Sequence, residues 1–442
     1  MIKLPQDVAN IIHRLEGAGY EAYAVGGCVR DSVLGREPND WDITTSALPQ
    51  QVKELFSHTI DTGLQHGTVT VMMHHVGYEV TTYRIDGEYE DSRHPKSVTF
   101  TRDLVEDLKR RDFTINAMAY NERAGIVDVF GGMQDLKVGV VRAVGDPKER
   151  FTEDALRMMR AVRFAAQLGY CIDEDTGTAI KQMADTLRKI SAERIQVELV
   201  KLVTSDHPEH MRLLYETGIT KIILPQFDQM METKQNNPHH CYSVGEHTIE
   251  AMEQIRADKA LRLTMLFHDM GKPDTKTTDE EGIDHFHGHA AISQKYAQEC
   301  LKKLKFDNDT LHTVTKLTYW HDYKIAPDKK GVRRALNKIG EELFLLLLEV
   351  KRADTMAQST YQRERKLKEL EQLKEVYEQI KEEGECFALK DLAVTGQDLI
   401  ALGMKPGPQI GETLHKLLEI VLEDPEKNEK ENLLSVASKS IF

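Results

Sequence analysis

The stretch YEAYAVGGCVRDSVLGREPNDWDI, residues 20–43, constrains this chain more than any other. Its apolar start reads as a strand that runs into Gly26-Gly27, a short helix with Arg30 and Asp31 follows, and Asp40 and Asp42 close the segment. Glycines at a strand-to-helix turn let backbone N–H groups approach a phosphate with no Cβ in the way, and the new helix start adds partial positive charge. On an expected strand, Asp40 and Asp42 share a face because the side-chain period is two. Two carboxylates in one small space repel, and Mg²⁺ is the hard counter-charge that suits them beside a polyphosphate. A lone D-x-D is more simply a solvated loop; the glycines and Arg30 upstream favour the site.

The chain has 442 residues, 40% of them hydrophobic, and at roughly 100–200 residues per domain that implies about three domains. The expected fold class is α+β. Residues 1–140 mix an amphipathic helix (Val8, Ile11, Ile12, Leu15) with strand-like TVTVMMHH, YEVTTYRI, KSVTFT and GIVDVF, giving a head with a small mixed sheet and helices. From Phe151 onward the strands stop and helical periodicity takes over. The all-α remainder divides into a neck (141–230), a body (231–357) and a tail (358–442), with PQFDQMMETKQNNPHHCY as the connection before the body. In the tail, the charged helix bearing Leu367, Leu370, Leu373, Tyr377 and Ile380 reads as a solvated structural element, and Pro-Gly-Pro at 406–408 reads as a helix start or a phosphate contact.

A net charge of −14 argues against wholesale coating of nucleic acid but permits a local basic groove. Five cysteines without C-x-x-C spacing give neither a disulfide framework nor a thiolate zinc site. The amino-terminal run is broken by Asp7, His13 and Glu16, unlike a secretory signal, and Leu343–Leu348 is far shorter than a membrane span. A cytoplasmic protein with no membrane partner is expected.

The pattern G-G-x-V-R-D-x-x-L-G-x-x-x-x-D-x-D resembles the head of class II template-independent nucleotidyltransferases, which include tRNA CCA-adding enzymes and bacterial poly(A) polymerases. RRDFTINAMAY (110–120), DVFGGMQDL (128–136), FTEDALRMMRAVRF (151–164) and ISAERIQVEL (190–199) agree with the same family, so the resemblance covers about half the chain. It implies tRNA, ATP and CTP as partners and Mg²⁺ held by Asp40 and Asp42 as catalytic ligands. Glu79 looks like the family's third acid, or supports the pair from beside it. Nucleotide-binding roles are expected for Gly26, Gly27, Arg30, Arg111, Arg160 and Arg163, and for Asp112 and Asn116, which lie on the Arg111 motif. The polar segment RIDGEYEDSRHPKSVTF (84–100) reads as a mobile loop, and the family's complete CCA-adding members carry a similar one.

In TEDALRMMRAVRF, spacings of three place Asp154, Arg157, Arg160 and Arg163 along one slowly rotating helical face. The bland reading is an exposed acid–arginine ladder of small energetic weight. A carboxylate only accepts and a guanidinium only donates, so an Asp154–Arg157 pair presents an acceptor beside a donor. Cytosine and adenine show an amino donor next to a ring-nitrogen acceptor, which complements that pair; uracil and guanine show the reverse. Each mismatched buried group costs about 1–3 kcal/mol, and the resemblance implies that this acid and arginine select the base.

Nine of eighteen histidines fall between His239 and His321. The order His247, His268-Asp269, His289, His321, Asp354 resembles the HD metal-dependent phosphohydrolase pattern, which implies a second divalent metal in addition to Mg²⁺. An inert HD fold kept as a tRNA platform is the plainer alternative. The expectation is therefore a tRNA nucleotidyltransferase that adds C, C and A by two-metal in-line transfer. A poly(A) polymerase, a partial A- or CC-adding enzyme, and an HD phosphohydrolase with a nucleotide-binding head remain the alternatives.

Overall fold

The computed structural model describes residues 2–87, 97–239 and 241–439. The chain forms two compact units, Met1–Pro225 and Gln226–Phe442. No helix among the described residues is long and apolar enough to cross a membrane.

The first unit opens with α1 (Gln6–Gly17), whose buried Val8, Ile11, Ile12 and Leu15 form the stripe expected from the sequence. After it come β1 (Ala22–Val25), α2 (Gly27–Val33), β2 (Ile43–Thr45), α3 (Pro49–Leu55), β3 (Thr59–Gly63), β4 (Thr68–Met73), β5 (Val76–Thr82), β6 (Arg84–Asp86), β7 (Val98–Phe100), α4 (Leu104–Lys109), β8 (Met118–Asn121), β9 (Gly125–Asp128) and α5 (Gly132–Val138). Seven strands make one sheet in the order β3-β4-β5-β2-β1-β8-β9. Only the β2–β5 pairing is parallel, so the sheet is mixed. Val25, Tyr83, Leu104, Leu108 and Ala119 pack as one buried cluster that fixes α4 against the middle of the sheet.

Several expectations need correcting. Strand β2 begins at Ile43, one residue after Asp42, so the acidic pair lies on extended chain entering the strand. Val25 N donates to Asp42 O at 2.9 Å, which carries the ladder that one residue further. The 84–100 segment starts and ends as a hairpin, β6 against β7; the centre of the loop expected there, 88–96, lies outside the described residues.

The helix expected through 151–164 is broken in two. α6 (Pro147–Glu153) ends before Asp154, which is extended at φ −146° and ψ 104°, and α7 (Leu156–Leu168) follows. The aspartate itself explains the break, because Asp154 Oδ1 accepts from Leu156 N at 3.0 Å, a local bond that competes with continued helix.

Strands also continue past Phe151, as two-residue pairings of Cys171–Ile172 with Val140–Val141 and of Thr277–Thr278 with Asp284–His285. The stretch read as a connection is helical over Pro225–Glu232, where Phe227 and Met230 are buried.

The second unit is a helical bundle. Helices Val244–Glu253, Lys259–Phe267, His289–Lys303, Asn308–Trp320 and Glu341–Ala357 carry or immediately precede the histidines and aspartates of interest. Gly271 lets two of these segments touch: a Cβ there would lie 2.5 Å from His289 O and 2.7 Å from Ser293 N. Gly271→Ala should therefore destabilise the protein by about 1–3 kcal/mol through overpacking. A urea titration checks this, with an unchanged midpoint as the contrary result.

Candidate active site

β1 ends at Val25 and hands the chain to Gly26, whose φ of +86° and ψ of −133° suit glycine alone. A Cβ on Gly26 would meet Arg111 Nη1 at 3.0 Å, whereas one on Gly27 would find only an ordinary 3.7 Å contact. Of the glycine pair, Gly26 is the one that both backbone and neighbour require.

Asp40 and Asp42 lie beside this turn. Ile43 pairs with Val80 in the parallel ladder, so the preceding residues, Asp42 and Glu79, are neighbours across it. Desolvation raises the Asp42 carboxyl above its usual range, Arg111 opposes the shift, and Asp40 adds to it. Glu79 is raised by partial burial, then by Asp42 and Asp40. Three carboxylates thus feel one another, with Arg111 as the cation that acts on Asp42.

A cleft of about 660 Å³ brings Gly26, Gly27, Arg30, Asp40, Asp42, Arg111, Asp112, Asn116, Arg160 and Arg163 together. Its lining also includes Lys201, Thr204 and Ser205. Glu79, Asp154 and Arg157 lie outside the described lining.

A chain of polar bonds orders the cleft's arginines. Arg30 donates through Nε to Asp31 at 2.8 Å and through Nη1 to Asn116 Oδ1 at 2.7 Å. Asn116 Nδ2 donates to Asp112 Oδ1 at 3.1 Å, and Arg160 holds Asp112 Oδ2 with Nε at 2.9 Å and Nη2 at 2.6 Å. Arg163 donates to Glu198 at 2.8 Å. The guanidinium carbons of Arg163, Arg30 and Arg160 lie 3.6, 5.0 and 5.3 Å from the Phe164 ring centroid, which gathers three cations around one aromatic ring. Glu198 and Phe164 were not singled out from sequence. A buried acid on the apolar-rich helix Ala192–Val203 was the available signal for Glu198, which is 4% exposed.

Arg157 N donates to Asp154 O at 3.0 Å, but among the described residues the two side chains do not pair with each other. Asp154 Oδ2 accepts from Arg194 Nη2 at 2.6 Å, while Arg157 engages Glu153 through Nη1 and donates from Nη2 to Arg110 O at 3.0 Å. The break at Asp154 turns the two side chains to different partners, which corrects the ladder expected on an unbroken helix.

Two oxygen ligands are enough for Mg²⁺, which usually takes one or two carboxylates and completes its shell with water and phosphate oxygens. The donor set of Asp40 and Asp42 fits that pattern, with repulsion there awaiting a cation. Groups of three His or Asp ligands within 4.8 Å of one another occur, among the described residues, only in the second unit: His247, His268, Asp354 and Asp269, His289, His321.

In that cluster each histidine places Nδ1 near a backbone carbonyl: His268 at Met265 O (2.6 Å), His321 at Thr318 O (2.7 Å), His289 at Phe286 O (2.8 Å) and His247 at Ala357 O (3.4 Å). With the proton on Nδ1, all four Nε2 lone pairs turn inward. His289 and His321 then face each other Nε2 to Nε2 at 3.1 Å, and His247 and His268 at 3.4 Å. Acceptors that close require a proton or a cation between them. Asp269 spans the groups, with Oδ2 3.3 Å from His268 and Oδ1 3.4 Å from His289. Lys272 Nζ also reaches Asp269 Oδ2 at 2.7 Å. Burial alone would raise the Asp269 carboxyl, but His268 and Lys272 hold it well below the usual range.

A mixed sheet that delivers a glycine turn, strand-entry carboxylates and a row of arginines to one cleft defines a nucleotidyltransferase of the polymerase-head type. Family comparison agrees: residues 22–142 match the "Poly A polymerase head domain", 169–231 the "Probable RNA and SrmB-binding site of polymerase A", and 275–437 domain 2 of tRNA nucleotidyltransferases. A CCA-adding enzyme of Levilactobacillus brevis is 38% identical over 97% of this chain and 96% of its own length. That of Limosilactobacillus reuteri is 37% identical over 92% and 90%. The crystal structure of the Bacillus stearothermophilus CCA-adding enzyme in complex with CTP aligns with a TM-score of 0.71 at 31% identity, covering 99% of this chain and 97% of that one. The chain belongs to the family of CCA-adding enzymes.

Asp112 makes the cleft's ion chain testable through pH. Burial alone would raise its carboxyl, but Arg160, Arg157 and the Asn116 bond lower it below its ordinary 3.8. Its stabilisation is therefore complete above that value and is lost as pH falls toward the folded-state value. Asp112→Asn should cost about 3 kcal/mol at neutral pH and flatten the loss of stability between about pH 5 and pH 2. Urea melts across that range check the slope; an unchanged pH profile would contradict the assignment.

Proposed function

We propose that this protein adds C, C and A to the 3′ end of tRNA from CTP and ATP, without a nucleic-acid template and with release of pyrophosphate. The observation that carries the reading is the cleft shared by Asp40, Asp42, Gly26, Arg111 and the Arg30–Asn116–Asp112–Arg160 chain, in a chain whose family likeness runs nearly end to end. We divide the labour as a catalytic head (1–140), a base-selecting neck (141–230), a body with the His/Asp cluster (231–357) and a tRNA-binding tail (358–442). A tRNA substrate places the activity in the cytoplasm.

Gly26 leaves room for the triphosphate, Arg111 and Arg30 hold its charge, and Arg160 and Arg163, gathered with Arg30 around Phe164, orient the nucleotide. Asp40 and Asp42 would hold Mg²⁺, with Glu79 raising their demand for it; bound there, the metal supplies Lewis-acid activation of the 3′-hydroxyl and neutralises charge on the leaving group. The tRNA 3′-oxygen attacks the α-phosphorus in line, a new O–P bond forms, and the bond from the α-phosphorus to its bridging oxygen breaks. Asp154 and Arg157 would select C and A by donor–acceptor match, and their bonds to Arg194 and Glu153 must then be exchanged for bonds to the base.

Given a tRNA transcript ending at its discriminator base, the wild-type protein with CTP alone should add two residues, and with CTP plus ATP the full CCA. Asp42→Ala should lower incorporation by about 10³-fold or more, in line with loss of an electrostatic catalytic group. Runs of A from ATP alone would indicate a poly(A) polymerase, and arrest after CC a partial enzyme.

The four inward-facing Nε2 atoms favour a second activity, phosphoester hydrolysis at the His/Asp cluster. His247, His268 and Asp354, with Asp269, His289 and His321, would hold one or two divalent ions, which supply a bound water of lowered pKa. Asp269→Ala should abolish metal uptake by that unit and turnover of a chromogenic phosphodiester while leaving CCA addition intact. Metal analysis and both assays on the same preparation decide it, and loss of CCA addition would assign the cluster to the fold of the tRNA platform instead.

A further inference from the structure

Asp107 is fully buried within α4, four residues before Arg111. A carboxylate at 0% exposure is rare unless its oxygens are committed. Asp107 Oδ1 accepts from Arg110 Nε at 3.1 Å and Nη2 at 2.8 Å, and from the backbone N of Arg84 at 3.4 Å. Its other oxygen, Oδ2, lies 3.1 Å from Thr44 Oγ1, whose single hydrogen is shared with Thr81 O at 3.2 Å, and 3.5 Å from Arg111 Nη2. Thr44 stands two residues after Asp42. The same carboxylate thus grips the strand that the acidic pair enters and the arginine that faces it.

The Arg111 end of this link has little else to hold it. Its Nη1 would touch a Cβ on Gly26, and its Nε is buried without a hydrogen-bond partner among the described residues. A guanidinium left there without Asp107 would be free to swing toward Asp40 and Asp42. Arg150 and Arg157 donate to the backbone carbonyls of Lys109 and Arg110 at 2.7 and 3.0 Å, so the backbone of this segment is also held from α6 and α7. Burial by itself would raise the Asp107 carboxyl, but Arg110 and Arg111 lower it, so it stays charged.

We propose that Asp107 is a positioning residue for nucleotidyl transfer: through Oδ2 it fixes Arg111 over Gly26 and spaces it from the Asp40–Asp42 pair, so that the triphosphate meets a cation of set position. This rests on the reading of Arg111 as a triphosphate ligand. Because the triphosphate is common to both substrates, CTP and ATP should suffer alike when Asp107 is changed, and tRNA should not.

The test measures kcat and KM for CTP, ATP and tRNA with the full chain carrying Asp107→Asn, Arg111→Gln or both. The asparagine keeps the shape and one acceptor oxygen while removing the charge. Asp107→Asn should lower kcat/KM for CTP and ATP equally, by about tenfold to a hundredfold, as expected for misplacement of a binding group. The KM for tRNA should be unchanged, and adding Asp107→Asn to Arg111→Gln should change kcat/KM by less than about twofold, because residues acting through one group are not additive.

Full multiplication of the two losses, an unequal effect on CTP and ATP, or wild-type kinetics in Asp107→Asn would overturn the proposal. Should Asp107→Asn fail to fold, Thr44→Val, which deletes the bond to Oδ2, must show the same pattern at smaller size. Asp42→Ala serves as the control. An active Asp42→Ala protein overturns the underlying reading of the site, whereas an inactive one beside a fully active Asp107→Asn protein overturns only the role of Asp107.

Discussion

Repulsion between carboxylates held near one another is the constraint on which the head depends. Asp40 and Asp42 approach β2 as that strand enters the middle of the sheet, and the parallel register with β5 adds Glu79 beside them. Burial and mutual charge work in the same direction to raise Asp42 and Glu79, and the Arg111 guanidinium opposes the shift at Asp42. Such an arrangement disfavours the charged carboxylates, and the proposed divalent cation would relieve that repulsion. The rest of the first unit keeps that demand in place. Gly26 clears the approach, α4 fixes Arg111, and the Arg30–Asn116–Asp112–Arg160 chain commits nearby arginines so that they do not collapse onto the acids.

The His/Asp cluster of the second unit solves the opposite problem. There four imidazoles, each with Nδ1 near a backbone carbonyl, turn their Nε2 atoms toward one another and toward Asp269 and Asp354. Lys272 supplies a positive charge against Asp269. One centre is thus a cleft lined by carboxylates and arginines, whose oxygen donors suit a hard cation; the other is a mainly buried set of imidazoles and carboxylates, whose donors suit a softer one. The chain keeps these two chemistries in separate compact units.

Much of the head was legible in the sequence because its chemistry lies within short stretches. The strand, glycine turn and acidic pair occupy residues 20–43, and Arg111, Asp112 and Asn116 lie within a single motif. The order of histidines and aspartates from His247 to Asp354 was visible in the same way, since each is a distinctive residue type. What sequence could not supply was partnership across distance. Glu198 meets Arg163 from a separate helix, and Phe164 earns its place only because three arginines surround it. Periodicity alone also carried the helix through Asp154, where the side chain's bond to Leu156 N interrupts it and sends Asp154 to Arg194 and Arg157 to Glu153. The division of the His/Asp ligands into two groups straddled by Asp269 likewise needs coordinates.

Calorimetric titration of CTP with and without Mg²⁺, on the wild-type protein and Asp42→Asn, tests the electrostatic claim most directly. If like-charge repulsion governs the cleft, wild-type affinity for CTP rises by about tenfold or more with Mg²⁺, whereas Asp42→Asn binds CTP more tightly than wild type in the absence of metal and gains little when it is added. An equal gain from Mg²⁺ in both proteins would show that the paired carboxylates neither hold the ion nor repel the nucleotide.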